Sequence, residues 1–406
     1  MSKTARLMKD SGIEWIGEIP VGWDVIKLKY LFSIIGGNGF PEELQGHTEG
    51  DFPFCKVSDI NGVGDYVISA TNWVSNEVVV KCRFNIVPKL SIILAKIGAA
   101  LTKNHRKINR IECCIDNNTQ ALVPKRPDNI RFLLYISKCL DMNWYDNKST
   151  IPSVNNSKLL NESVPNIPLP EQTRIAAYLD EKCGKIDSIT AGEETAIEKL
   201  KAYKQSIITE TVTKGLDPKA PMKDSGIEWI GEIPIGWTAE KAKFHVKITN
   251  GSDPTSEGDV PVYGSGACSF KTCGDFKEGP CVLLGRKGAT LHIPHYIEGK
   301  YWNVDTAFDV KVNPSLGLKY YYYLACCFDY RFYVSQTTLP GMTQTNYGNM
   351  FIPLPPLSEQ KQIAAYLDKK CTAIDSNIAS RQSLIEKLTA YKKSLIYEVV
   401  TGKKEV

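Results

Sequence analysis

Long apolar runs are missing from this 406-residue chain: no stretch of 18 apolar residues occurs, and the opening MSKTARLMKD has no apolar core. We therefore expect neither a membrane-spanning helix nor a secretory leader, and place the protein in the cytoplasm. None of the five histidines stands in a spaced pattern with a carboxylate or nucleophile, and none of the twelve cysteines forms a CxxC. Cys113-Cys114 and Cys326-Cys327 are adjacent pairs, so reduced and mostly buried thiols are expected. The closest approach to a metal cluster is Cys268, Cys273, Cys281, His292 and His295, whose spacing fits no zinc pattern. Phosphate-loop chemistry is absent too, because Gly285-Arg286-Lys287-Gly288 lacks both the spacing and the hydroxyl. There is no HExxH, GxSxG or HxE…PCxxC, and no Asn/Asp-Pro-Pro-aromatic tetrapeptide. The net charge is only +4, less basic than a general polyanion binder. These absences describe a binder with no cofactor or metal of its own.

What the chain does have is itself, twice. Residues 8–23 (MKDSGIEWIGEIPVGW) recur at 222–237 with one change, Val21 to Ile235. Residues 171–213 match 359–401 at 26 of 43 positions. Two near-copies imply two equivalent structural units, suited to a two-part target. The stretches between them also align. The offset between the copies falls from 214 at residues 8–30, to 208 at Glu49–Pro53, to 190 at Ile92–Ala99, and to 188 from Arg131 onward. The variable stretches are thus versions of one fold. The first is longer by 26 residues, 18 of them between Phe52 and Ile92.

Short apolar runs bounded by Gly, Pro, Asn and Asp predict strands at Phe84–Val87, Ser91–Leu94, Val282–Leu284 and Phe308–Val312. One helix per variable stretch is expected, near 129–142 and 317–330, with Tyr320–Tyr323 as packing. The long repeats predict long helices, each starting behind a proline-rich stretch. In the first, Ile175, Leu179, Lys182, Ile186, Ile189, Glu193, Ala196, Leu200, Tyr203, Ile207 and Glu210 step by 4 and 3 as a heptad seam. In the second, Ile363, Leu367, Ile374, Leu384, Leu388, Tyr391 and Leu395 stand at equivalent places. Antiparallel pairing of the two is the simplest arrangement. The order of segments is cyclic, which predicts that the chain's two ends lie close together.

The proline-rich stretch Ile352-Pro353-Leu354-Pro355-Pro356-Leu357-Ser358-Glu359-Gln360, the Ile363-Ala364 behind it, its shorter copy ending Pro170-Glu171-Gln172, and the doubled Gly-Ile-Glu-Trp-Ile-Gly-Glu-Ile-Pro resemble the specificity subunit of type I restriction–modification systems along essentially the whole chain. The resemblance implies an α+β protein: two similar globular target-recognition domains joined by two long antiparallel coiled-coil helices in a pseudo-two-fold cyclic arrangement. Residues 1–166 would hold the opening segment and first recognition domain, 167–215 the central helix, 216–351 the second opening segment and domain, and 352–406 the C-terminal helix. It implies a non-catalytic subunit in which each domain reads one half of a bipartite DNA site. Two modification subunits would bind S-adenosylmethionine and methylate adenine, and restriction subunits would use ATP and Mg. A 43-residue helix is about 64 Å long at 1.5 Å per residue, near two turns of B-DNA.

Loop residues with amide, hydroxyl or cationic side chains are the candidates for DNA contact. In the first domain these are Lys96, Lys103, Asn104, His105, Arg106 and Lys107, within a run from Lys96 to Arg110 that holds five cations and no carboxylate. The polar loop Lys148, Ser149, Thr150, Ser153, Asn155 and Asn156 joins them. In the second domain they are Arg286, Lys287, Gln336, Thr338, Thr343, Gln344, Thr345 and Asn346. Thr119 and Thr306 are expected to be structural. Trp15, Trp23, Trp229 and Trp237 are expected as packing anchors. Trp15 and Trp229, with Tyr178 and Tyr366 on the helices, are alternatively partner-docking residues. A coiled-coil scaffold presenting two protein- or glycan-binding domains is the competing reading.

Overall fold

The computed structural model describes residues 6–62, 64–148, 150–266, 268–330 and 340–406. Its contacts divide the chain into two units, Met1–Ala191 with Ile385–Val406, and Gly192–Leu384. Each unit therefore takes one end of each long helix.

The first unit opens with an antiparallel hairpin, Met8–Asp10 against Glu18–Pro20. Asp24–Lys27 then pairs with Ser163–Asn166, so the start and end of the variable stretch are tied together. Between them lie β1 (Phe32–Gly36), β2 (Phe52–Cys55), β3 (Ile92–Ala95), β4 (Arg106–Ile108), β5 (Cys114–Ile115) and β6 (Thr119–Pro124), then helices α1 (Ile130–Cys139) and α2 (Asn156–Leu160). An antiparallel sheet runs β1-β6-β3-β4, while β2 lies parallel beside β5. β3 is buried on both faces: Ile92 and Leu94 enter the main core, Ile93 and Ala95 a second cluster. Asn129 caps α1 by accepting from Arg131 N at 3.0 Å and Phe132 N at 3.2 Å. The long helix α3 (Leu169–Lys214) follows.

The second unit repeats this plan with β7 (Val246–Asn250), β8 (Val260–Tyr263), β9 (Cys281–Gly285), β10 (His295–Ile297), β11 (Lys300–Asn303), β12 (Ala307–Val312), α4 (Leu318–Ala325), α5 (Gln344–Asn349) and α6 (Leu357–Val400). The sheet order is β7-β12-β9-β10, and β8 is parallel to β11. Offset alignment thus predicted a shared fold, and the register repeats it: Ile92 faces Ile108 as Val282 faces Tyr296. The extra length of the first copy accommodates the helices Val57–Ile60 and Asn76–Cys82, while the strand Trp73–Val74 pairs with β2 as Lys271–Cys273 pairs with β8. Tyr320, Tyr321 and Tyr323 are buried, as packing residues should be.

The two long helices pair antiparallel inside each unit. Ile175, Leu179, Cys183 and Ile186 share a core with Leu395, Ile396 and Val399, and Ile208 and Val212 share one with Ile363, Leu367 and Cys371. The seam corrects the sequence reading at alternate positions. Ile175, Leu179 and Ile186 are buried as expected, but Ile189 and Tyr203 are 50% and 56% exposed. The seam instead passes through Cys183, Ile197 and Ile208, one residue later than predicted. Polar side chains occupy it by ion pairing across the helices: Lys204 with Asp375 at 2.6 Å, Arg381 with Glu193 at 2.5 Å, and Lys392 with Asp187 at 2.6 Å.

The Glu-Gln pair behind each proline-rich stretch is a staple. Trp23 Nε1 donates to Glu171 at 2.9 Å, as Trp237 Nε1 does to Glu359 at 3.0 Å. Gln172 accepts from Asn129 N, and Gln360 from Gly317 N, which ties each helix to the domain before it. Both long helices end on glycines in the left-handed region, Gly215 at φ +78° and Gly402 at φ +76°. A Cβ on Gly402 would meet Pro20 at 2.4 Å and Trp23 at 3.0 Å. Tyr397 Oη donates to the carbonyls of Trp15 and Ile16, so the chain's end closes on its beginning within this unit. Gly402→Ala is expected to cost about 2 kcal/mol, from backbone strain and clash together. Chemical denaturation checks this, and an unchanged midpoint would refute the closure.

Candidate nucleic-acid interface

The two loops favoured on sequence grounds in the first unit are hydrogen-bonded to each other. Val154 N donates to Lys96 O at 2.9 Å and Gly98 N to Pro152 O at 2.8 Å, while Lys96 N donates to Asn118 O at 2.9 Å. The second unit makes the same three bonds. Met342 N donates to Arg286 O at 2.8 Å, Gly288 N to Pro340 O at 3.0 Å, and Arg286 N to Thr306 O at 2.8 Å. In both, a glycine turn leaving a fully buried strand (β3 or β9) lies against the loop that starts a short helix (α2 or α5). The first turn of that helix is fixed alike. Asn155 accepts from Lys158 N at 3.0 Å, and Thr343 from Asn346 N at 3.0 Å. One backbone frame therefore holds two different sets of side chains.

On the first frame, Lys148 and Thr150 are exposed and Lys96 is half-buried. Ser153 Oγ accepts from Asn147 Nδ2 at 3.2 Å, and Ser153 N donates to Asp146 at 2.9 Å. Asn155 and Asn156 are half-buried at the start of α2, and Ser149 lies outside the described residues. On the second frame, Arg286 is half-buried. Its guanidinium donates to Asp305 O at 3.2 Å and stands 5.9 Å from the Phe308 ring centroid. Lys287 is exposed, 3.9 Å from the Asp305 carboxylate. Thr343, Gln344 and Thr345 are exposed and Asn346 half-buried; Gln344 donates to Asn250 at 3.2 Å. Gln336 and Thr338 lie outside the described residues.

The run of five cations does not form one surface. Lys103 and Arg110 are exposed and His105 is half-buried, its pKa lowered by burial and by Lys103 and Lys107. Arg106 and Lys107 point inward and are corrected to structural residues. Arg106 is 4% exposed and donates to Leu140 O and to both oxygens of Asn104. Lys107 is 5% exposed, with Nζ on Asn61 O at 3.2 Å. β4 is covered on both faces, so long cationic side chains there run through the core to reach carbonyls. Asn104 also accepts from Met142 N at 3.0 Å and sits at φ +58°, pinning its turn to the end of α1. Thr119 is fully buried and donates to Asp116 O at 2.9 Å.

Of the docking candidates, Trp15 donates to Ser163 O at 3.2 Å and lines a cavity of about 400 Å³ with Trp144, Lys393 and Tyr397. Trp229 packs edge-on against Phe328 at 6.3 Å. Tyr178 is half-buried beneath Lys182, and Tyr366 is 38% exposed. Sequence reasoning passed over Arg131, Tyr135 and Asp180, which bind α1 to α3. Their counterparts Lys319, Tyr323 and Asp368 stand at the constant offset of 188, a signal that could have found them. Among the described residues, no group of His, Cys, Asp and Glu is arranged to hold a metal.

In each unit, then, one and the same loop frame presents a different set of polar side chains. The type I restriction modification DNA specificity domain model matches residues 20–199 and 243–389. The chain belongs to this family and is a DNA sequence-specificity subunit, not a catalytic one. It is 27% identical over 251 residues to the MjaIX type I restriction enzyme specificity subunit of Methanocaldococcus jannaschii, covering 59% of this chain and 55% of that protein. It is 24% identical over 425 positions to the putative MjaX specificity subunit of the same organism, covering 96% and 95%. A chain solved in work on assembly and conformational transition of the type I R-M system shares the fold. Its TM-score is 0.67 at 17% identity, covering 95% of this chain and 99% of that one. No helix among the described residues is long and apolar enough to cross a membrane.

Proposed function

We propose that each loop frame reads one half of a two-part duplex DNA site. Lys96, Lys103, His105, Lys148, Thr150, Ser153, Asn155 and Asn156 would serve one half, and Arg286, Lys287, Thr343, Gln344, Thr345 and Asn346 the other. The observation that carries the reading is the pair of matching backbone frames with unlike side chains. Hydroxyl and amide groups read base edges, while cations and backbone amides hold phosphates. The half-sites would be carried by modules bounded at 1–166 and 216–351, with 167–215 and 352–406 as the helical connection.

The chain would deliver this address in the cytoplasm to two modification subunits that methylate adenine and to restriction subunits. S-adenosylmethionine, ATP and Mg would belong to those partners. Trp15, Trp229, Tyr178 and Tyr366 are the side chains we assign to docking them. Exchanging residues 24–166 for the matching segment of another specificity subunit should change one half of the methylated motif and leave the other intact. Genome-wide methylation sequencing reads this directly, and an unaltered motif would refute the assignment.

A further inference from the structure

The first unit fills a slot that the second leaves open. β4 is the outer strand of its sheet, and Asp65–Val67 is laid along it. Ile108 N donates to Asp65 O at 2.8 Å and Val67 N to Ile108 O at 2.9 Å, a parallel bridge centred on Tyr66. The Asp65 carboxylate accepts from Arg131 at 2.7 Å and from Lys138. The Tyr66 ring lies 5.3 Å from the Arg131 guanidinium and 4.4 Å from that of Arg110. The floor of the slot is Asp180, which accepts from Tyr135 Oη at 2.7 Å, and Asp187 paired with Lys392.

That floor recurs in the second unit. Lys319 pairs with Asp368 at 3.4 Å, Tyr323 Oη donates to Asp368 at 2.6 Å, and Lys204 pairs with Asp375 at 2.6 Å. β10 is again the outer strand, and Tyr296 takes the place and register of Ile108. Residues 64–70, however, fall within the extra length of the first copy and have no counterpart. A cavity of about 650 Å³ stands there, walled by Tyr296, Tyr322, Lys201, Lys204, Lys319 and His292. Among the described residues, no backbone group pairs with the outward N–H and C=O of Tyr296. Lys319 and Lys204 pair with Asp368 and Asp375, and the third lysine of the wall, Lys201, pairs with Glu198 at 2.8 Å on its own helix. Lys319 Nζ rests 3.7 Å from the Tyr296 ring centroid.

We propose that this slot docks an extended segment of a partner protein, which adds parallel to His295–Ile297 and supplies a carboxylate to Lys319 and an aromatic ring behind it. The occupant's chemistry is written in the chain itself, because Asp65-Tyr66 plays that part in the first unit. Three lysines would also attract phosphate. An open strand edge presents a donor and an acceptor side by side, which pairs with peptide backbone, whereas a phosphodiester has no donor for Tyr296 O. The proposal does not rest on the loop frames and survives any change in which DNA they read.

The probe is a fluorescein-labelled peptide with the sequence Gly64–Ala70, titrated into the full chain by anisotropy. Saturable binding is expected, weakened about tenfold by Lys319→Ala and equally by asparagine in place of the peptide's aspartate. On the unaltered chain the Tyr296 amide should exchange hydrogen several-fold more slowly with peptide present, a readout that stands if the variant misfolds. The proposal falls if binding does not saturate at millimolar peptide or if the asparagine peptide binds as well. It also falls if random-sequence duplex DNA protects the Tyr296 amide and the peptide does not.

Discussion

Alanine at Arg286 and Lys287 together is expected to weaken binding of a cognate duplex by the assembled complex about 100-fold, and to lower its salt slope by about two. The two side chains crown the glycine turn of the second frame, where backbone bonds to Pro340 and Met342 fix the turn whatever side chains it carries. Removing them therefore takes away charge and reach without loosening the frame. Arg286 gives up one bond to a neutral carbonyl and Lys287 a contact at 3.9 Å, so the denaturation midpoint should hardly move. Filter binding at several salt concentrations separates the outcomes. A lower slope with equal loss on all duplexes marks phosphate contact. Loss confined to the cognate sequence marks base reading by Arg286. Unchanged affinity at every salt concentration would remove this turn from the interface.

Arg106 and Lys107, named with the cation run as candidate DNA contacts, are enclosed in the first unit instead. Sequence shows a run of cations but not which face of the sheet each one meets. β4 is buried on both sides, so neighbouring side chains that should alternate between solvent and core are both enclosed. The offset alignment was the better guide. It placed Lys96 opposite Arg286 and Asn155 opposite Thr343, and both pairs occupy equivalent positions. The same contrast runs through the long helices. Apolar periodicity located Ile175, Leu179 and Ile186, yet it preferred Ile189 and Tyr203 to the true neighbours of the seam. There Lys204, Asp187 and Glu193 are held by partners on the other helix, and no pattern in one helix reveals its partner's charges. The Trp23–Glu171 staple was half legible, since both residues stood in repeats while their contact spans 148 positions. Least legible was Asp65, which lies in the stretch without a counterpart and so outside every comparison the repeat allows.

Asp65→Ala is expected to destabilise the first unit by about 3 kcal/mol, whereas Lys319→Ala in the second should cost well under 1. Among the described residues, Asp65 is the one carboxylate that Arg131 and Lys138 share. Their side chains are 17% and 21% exposed, so its loss strands positive charge in a poorly hydrated place. Arg131 retains Asp180, but Lys138 has no other ion pair among the described residues. Lys319, by contrast, is 30% exposed beside an open cavity, where water can replace what is removed. The pH dependence distinguishes this cause from simple loss of packing. Burial alone would raise the Asp65 carboxyl, but Lys138 and Arg131 hold it below its usual value of 3.8. A carboxyl depressed in the folded state stabilises it above the unfolded pKa, and that contribution is lost as pH falls through the folded one. The gap between the natural chain and Asp65→Ala should therefore be full at pH 7 and close progressively below about pH 4. Denaturant titrations at pH 7 and pH 3 measure it. A gap of equal size at both would mean that Asp65 acts through the packing of its side chain rather than its charge, and would remove the carboxylate from the template for the second slot's occupant.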